Sequence, residues 1–282
     1  MKTGMTENRI PLLVSLNQNY LPQLRVMLTS LHLNTPGIAC RVYLLHRGIP
    51  AEELSNLRKD LAQLGDTLCP IRVDGSLFEK APISDRYPQE MYYRLLAAQL
   101  LPQTLDKVLY LDPDILVINS ILPLWKTEMG NKLFAAASHS GKAELVNSVN
   151  QLRLKTSSAY YNSGVLLINL AQCRNEIHPE EIFQYVSEHK AELLLPDQDV
   201  LNALYSEKIL PLDDLIWNYD ARNYQEYRVA THGMANSNWV MAHTAILHFC
   251  GREKPWKPHY NRRFGVLYQH YMQLTKRMLE SE

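Results

Sequence analysis

The chain has 282 residues, 46% of them hydrophobic, which is enough for one large domain with a substantial core; no low-complexity tract marks it as disordered. Its 29 basic and 29 acidic residues cancel to a formal net charge of +0, which excludes nucleic-acid binding driven by bulk charge. Cys40, Cys69, Cys173 and Cys250 are scattered at spacings that fit no zinc or redox pair and point to a reducing compartment.

The apolar run 10–16 is broken by Asn17. It is too short for a membrane span or a signal peptide, so it predicts the first strand and a cytoplasmic chain. Asn17, Gln18 and Asn19 predict a polar turn. Leu21, Leu24, Leu28 and Leu31 then recur at helical spacing, with Pro22 near the helix start. Residues 40–46 predict a second strand. Leu54, Leu57, Leu61 and Leu64 stripe a second helix that Gly65 can stop, and 68–73 predict a third strand. Gly75, Pro82 and Pro88 make 74–89 a loop; 91–101 predict a helix and 107–112 a fourth strand. This alternation implies an α/β fold with a mostly parallel sheet covered by helices, whose ligands bind beyond the carboxyl ends of the strands. Farther on, 133–137, 165–169 and 246–249 predict strands and 179–189 and 198–205 predict helices. Residues 211–245, rich in aromatics and Asn, are expected to be loop-dominated.

The fourth strand ends in Asp112-Pro113-Asp114. Carboxylates at i and i+2 of a strand share a face, and Pro113 cannot donate to a ladder, so the regular strand should stop there. Two convergent acids at a buried strand end need a positive partner, and a divalent cation that prefers oxygen ligands is the simplest one. The plain alternative is a pair of turn carboxylates. His248 closes an apolar strand. Gly251, which lets backbone approach a ligand, and Lys254, a point charge suited to phosphate, follow it. Cys250 between them reads as a buried thiol. Asp197, Gln198 and Asp199 sit at a helix start, where Asp197 can serve as a cap or reach a pocket. Asn162-Ser163-Gly164 opens the strand 165–169, and Arg94 follows Tyr92-Tyr93 on a helix otherwise apolar on one face.

In chain order, these pieces resemble glycosyltransferase family 8, the bacterial galactosyltransferase and glucosyltransferase group that includes glycogenin. The matching segments are the strand and turn ending in Asn19-Tyr20, Tyr93-Arg94-Leu95, 107–114, Leu124-Trp125, 161–170, 197–202 and 248–256. The resemblance implies a GT-A fold, with residues 1–256 as the glycosyltransferase domain, a loop-rich acceptor half, and 257–282 as a basic, aromatic tail. It implies retaining transfer of galactose or glucose from a UDP-sugar to a saccharide or other hydroxyl, with Mn²⁺ or Mg²⁺ and no nucleic-acid partner. By position, Asp112, Asp114 and His248 would hold the metal. Gly251 and Lys254, with Cys250 beside them, would face the diphosphate. Ser15, Asn17 and Asn19 would lie by the uridine. Arg94, Asn162, Asp197 and Gln198 would line the sugar and the reaction centre. Two positions depart from the family pattern: Asn17 and His139 stand where an acid is common. The tail reads as a terminal helix that packs Phe264, Leu267, Tyr271 and Leu274 on the body. Its Lys257, Arg262, Arg263, Lys276 and Arg277 give contact with an anionic membrane surface as the alternative. The rival functions are a sugar-nucleotide hydrolase and a non-catalytic UDP-sugar-binding protein.

Overall fold

The computed structural model describes residues 9–83, 89–138, 149, 151–154 and 156–279. Its main strands are β1 (Arg9–Ser15), β2 (Ala39–His46), β3 (Thr67–Arg72), β4 (Lys107–Leu111), β6 (Phe134–Ala137), β7 (Val165–Asn169) and β8 (Ile209–Leu212), with β5 (Ile115–Val117) branching away after β4. They form a 7-stranded sheet in the order β3-β2-β1-β4-β7-β6-β8. β7 runs against both its neighbours, and every other pairing in this sheet is parallel. β5 joins β9 (Tyr219–Asp220) and β10 (Ile246–His248) in a 3-stranded sheet ordered β5-β10-β9.

Both faces of the central strands are buried, and the two-residue period of a strand divides them between two cores. Leu13, Val108, Tyr110, Leu166 and Ile168 point to one face, under the helices Leu170–Glu176, Pro179–His189 and Pro196–Tyr205. Leu12, Val14, Leu109, Leu111, Val165 and Leu167 point to the other, under Leu21–Asn34 and Ala51–Gln63. A fully buried leucine in either layer contributes roughly 2–3 kcal/mol of transfer free energy. The expected stop at Gly65 is present: φ is +84°, and the N–H groups of Gly65 and Asp66 bond back to the carbonyls of Ala62 and Leu61.

The 211–245 stretch is not loop-dominated. It holds the helices Asp214–Trp217, Tyr224–Ala230 and Ser237–His243 together with β9. Asp213 accepts from Leu215 N and Asn236 from Trp239 N, so Asx side chains that suggest loops act as caps. The aromatics fill a third core: Tyr219 and Tyr227 pack with Phe249, Phe264, Tyr268 and Tyr271. Phe264, Tyr268 and Tyr271 bring the helix Gly265–Leu279 into that core, so the tail's aromatic face is already occupied. The predicted helix 91–101 is instead a 3-10 turn at Gln89–Tyr92 and a short helix at Ala97–Leu100, and Arg94 lies in the turn between them. His139 and Pro88 lie outside the described residues. Among the described residues, no helix is long and apolar enough to cross a membrane.

Candidate active site

Asp112 and Asp114 lie between β4 and β5, at the carboxyl end of the parallel strands. β5 carries the chain across to the small sheet, where it pairs antiparallel with β10 and sets His248 opposite Ile115. The N–H of Phe249 then donates to the Asp114 carbonyl at 3.0 Å, which fixes His248 beside the two acids. His248 Nε2 stands 3.2 Å from Asp114 Oδ1 and 3.9 Å from Asp112 Oδ2, and the ligand atoms of the three residues lie within 4.8 Å of one another. Asp114 and His248 are buried; Asp112 is half-buried. Two carboxylates and an imidazole converging in a largely buried corner form a donor set that can hold a divalent cation, and the imidazole suits Mn²⁺ better than Mg²⁺. The neighbouring residue, Gly164, adds no side chain to this corner. A Cβ on Gly164 would overlap the His248 ring and stand 2.7 Å from Asp112 Oδ2.

These groups act on one another's ionisation. Burial would raise the Asp114 carboxyl, but His248 and Lys254 hold it well below the ordinary carboxylate range. Burial would lower the His248 imidazole, but Cys250 and Asp114 more than reverse that and hold it above its ordinary value. Lys254 Nζ bonds to Asp114 Oδ2 and, at 2.9 Å, to the Phe249 carbonyl. Cys250 is buried against His248; burial pushes its thiol up, against the pull of the imidazole.

Arg94 ties the acids to the next strand. Its Nη2 lies 3.2 Å from Asp112 Oδ1, its Nη1 lies 3.2 Å from Asp197 Oδ2, and Nη1 also donates to the Ser163 carbonyl at 3.0 Å. The guanidinium sits 4.6 Å over the Tyr110 ring, whose hydroxyl donates to Asp112 at 2.6 Å. Ser163 Oγ donates to Asp197, and Asn162 Nδ2 donates to Gln198 Oε1 at 3.0 Å. Asp197 is therefore not the helix cap. Asp199, inside the helix, instead reaches back to accept from the N–H groups of Leu194 and Leu195 ahead of it, as well as from Arg153 and Tyr160.

A family model described as glycosyl transferase family 8 matches residues 11–259. The chain belongs to glycosyltransferase family 8. It is 28% identical to General stress protein A of Bacillus subtilis (strain 168), covering 84% of this chain and 83% of that protein. It is 26% identical to a lipopolysaccharide 1,2-glucosyltransferase of Escherichia coli (strain K12), over 84% of this chain and 70% of that protein. Other relatives are longer, and the chain spans about half of some of them. Among solved structures, galactosyltransferase LgtC in complex with donor and acceptor sugar analogs superposes with a TM-score of 0.77 at 24% identity, covering 94% of this chain and 96% of that one. That likeness speaks for the fold, which is GT-A.

In this family 8 chain a cleft of about 410 Å³ opens beside the acids, lined by Ser15, Leu16, Asn17, Tyr20, Glu90, Arg94, Asp112, Pro113 and Asp114. Ser15 and Asn17 line it. Asn19 is exposed on an adjacent surface, and Asn17 Oδ1 caps the turn by accepting from Asn19 N. Tyr20 takes the inward position and packs edge-on against Trp256, which rests on Tyr268 of the terminal helix. Gly251 has φ +84°, and a Cβ there would meet Arg222 Nη1 at 2.6 Å. Arg222 is held by Asp220, through Nε at 2.9 Å and Nη2 at 2.6 Å, beside the Gly251–Lys254 turn. Sequence reasoning missed Tyr20, Ser163, Arg222 and Asn218, whose side-chain oxygen faces His248 Nδ1 at 2.8 Å. Only Tyr20 and Ser163 stood inside a motif already singled out. Asn218 and Arg222 flank a two-residue strand, and nothing local marks that strand as part of the site.

Among the described residues His32, Cys40 and Asp66 also cluster. There Asp66 is satisfied by His32 Nε2 at 2.8 Å and by Cys40 N at 2.6 Å, which makes it an internal tie between helix and strand.

Proposed function

We propose that the chain is a metal-dependent, retaining hexosyltransferase that moves galactose or glucose from a UDP-sugar to a hydroxyl on a saccharide acceptor. The observation that carries this reading is the convergence of Asp112, Asp114, His248 and Lys254 at one end of the cleft. That is a cation site and an ammonium group at the point where a sugar's diphosphate would leave. The relatives named for lipopolysaccharide glucosyl transfer support a glycan acceptor.

Asp112, Asp114 and His248 would hold Mn²⁺ or Mg²⁺, which when bound supplies Lewis-acid stabilisation of the departing UDP. Lys254 is held at that corner by Asp114 and the Phe249 carbonyl, where its ammonium would add positive charge beside the departing diphosphate. The Gly251 turn lets main chain approach the diphosphate, with the Arg222 guanidinium beside it. Ser15, Asn17 and Tyr20 would receive the uridine; an amide oxygen at Asn17 can accept from a base N–H where an acid is common in the family. Asn162 and Gln198, joined by a hydrogen bond, would face the sugar ring. Asp197 is engaged by Arg94 and Ser163, which suits it to stabilising an oxocarbenium-like centre electrostatically.

The first test is thermal denaturation with UDP-galactose, UDP-glucose and ADP-glucose, each with and without Mn²⁺. A donor at 100 times its dissociation constant stabilises the fold by about 2.7 kcal/mol. Stabilisation by a UDP-hexose that requires Mn²⁺ and is lost in Asp114→Asn supports the reading. No UDP-sugar effect would end it. UDP-sugar turnover in water as fast as with any saccharide acceptor would favour a hydrolase, and binding without turnover would favour a non-catalytic protein. Membrane contact through the basic tail is a separate proposal. Equal sedimentation with anionic and neutral liposomes would remove it.

A further inference from the structure

The amide groups around His248 have only one consistent polarity, and a backbone donor sets it. Gly164 N–H can only donate, and its partner at 2.9 Å is the Asn162 side chain, so the atom facing it is Oδ1. The same Oδ1 faces the Asn218 amide at 2.9 Å, so Asn218 presents its Nδ2 there. The Asn218 Oδ1 is then left facing His248 Nδ1 at 2.8 Å, and that nitrogen must carry the proton. The other ring nitrogen, Nε2, is the one that faces Asp112 and Asp114. Asn162 Nδ2 points the other way, to Gln198 Oε1. Asn218 is fully buried, between the helix Asp214–Trp217 and β9, and β9 pairs with β10 so that Asp220 stands opposite His248.

We propose that Asn218 is a positioning residue that locks His248 into the tautomer whose Nε2 is free to hold a divalent cation, with its orientation dictated from the Gly164 backbone through Asn162. The proposal rests on the metal-dependent reading above and adds a residue to it. Metal-binding imidazoles depend on the partner of their second nitrogen, and losing that partner typically costs 10–100-fold in metal affinity. Here the partner has a second link: the Asn162 that orients it also holds Gln198, so the cation corner and the proposed sugar corner share one hydrogen-bonded chain.

The test measures Mn²⁺ binding to the full chain at saturating UDP, from the electron paramagnetic resonance signal of free Mn²⁺, and measures UDP affinity without metal by calorimetry. Asn218→Leu keeps the γ-branched shape, with somewhat greater bulk, and removes the acceptor. It should weaken Mn²⁺ binding about 10–100-fold and leave metal-free UDP affinity unchanged. Asn218→Asp keeps an acceptor for Nδ1 but cannot donate to Asn162. It should keep Mn²⁺ affinity well above that of the leucine variant, without the loss of about 10–100-fold, while turnover falls. If Asn218→Leu fails to fold, Asn218→Ser, which is too short to reach Nδ1, replaces it with the same expected loss. Equal Mn²⁺ affinity in wild type and in the acceptor-free variant would overturn the role of Asn218 alone. Equal losses of UDP affinity with and without Mn²⁺ would also overturn it, as a general packing defect. A wild type that binds no Mn²⁺ with UDP would overturn the functional reading, and this proposal with it.

Discussion

Gly164→Ala places one methyl group where it tests the candidate cation site from the outside. The backbone at Gly164 is not in the left-handed region, so alanine brings no dihedral strain, and the whole effect is steric. The new Cβ would overlap His248 Cε1 and stand 2.7 Å from Asp112 Oδ2 and 3.1 Å from Asn162 Oδ1. Ordinary carbon contacts lie near 3.5–4.0 Å, so His248 and Asp112 must retreat by about 1 Å. Overpacking of this kind costs roughly 1–3 kcal/mol of stability. A displacement of about 1 Å at a reacting centre costs on the order of 10²-fold in rate. The expected result is a folded protein whose metal-dependent turnover and Mn²⁺ affinity fall together. Gly48→Ala is the control, because no atom lies within 4 Å of its new Cβ and its φ is ordinary. It should match or slightly exceed wild-type stability and keep full Mn²⁺ binding. If Gly164→Ala binds Mn²⁺ and turns over donor as wild type does, then Asp112 and His248 do not act as cation ligands in this geometry.

His248→Ala should weaken UDP binding chiefly when Mn²⁺ is present; calorimetry showing the same loss in metal-free buffer would contradict a ligand role. Gly251→Ala forces a side chain into left-handed backbone and against Arg222, so UDP affinity should drop about tenfold or more with strain of about 1 kcal/mol; unchanged UDP affinity would show that the turn does not face the diphosphate. Asp199 is pushed up by burial but held below its ordinary 3.8 by Arg153, Tyr160 and the N–H groups of Leu195 and Leu194. The stability from this depressed pKa is present above 3.8 and is lost as pH falls through the folded value. Asp199→Asn should therefore cost roughly 3–5 kcal/mol at neutral pH. Urea titrations should show the gap to wild type narrowing at low pH, and a gap independent of pH would rule out the carboxylate as its source.

The sequence by itself determined the parts whose cause is local. Continuous apolar runs make β1, β4 and β7, leucine stripes make helices over them, and Gly65 stops one of those helices because only glycine enters that φ cheaply. The acids at Asp112 and Asp114 and the His248–Lys254 cluster were legible for the same reason: each lies within one short segment. The tertiary structure alone decided which of these segments meet. The register of β5 against β10 brings His248 to Asp114, and that pairing joins chain positions far too distant for any periodicity to report. It also decided between neighbours of like chemistry. Asp199, rather than Asp197, accepts from the N–H groups just ahead of its helix, which leaves Asp197 for Arg94. Asn218 and Arg222 gain their places only because a two-residue strand pairs with β10, where Asn218 meets Asn162 and His248 and Arg222 meets Asp220.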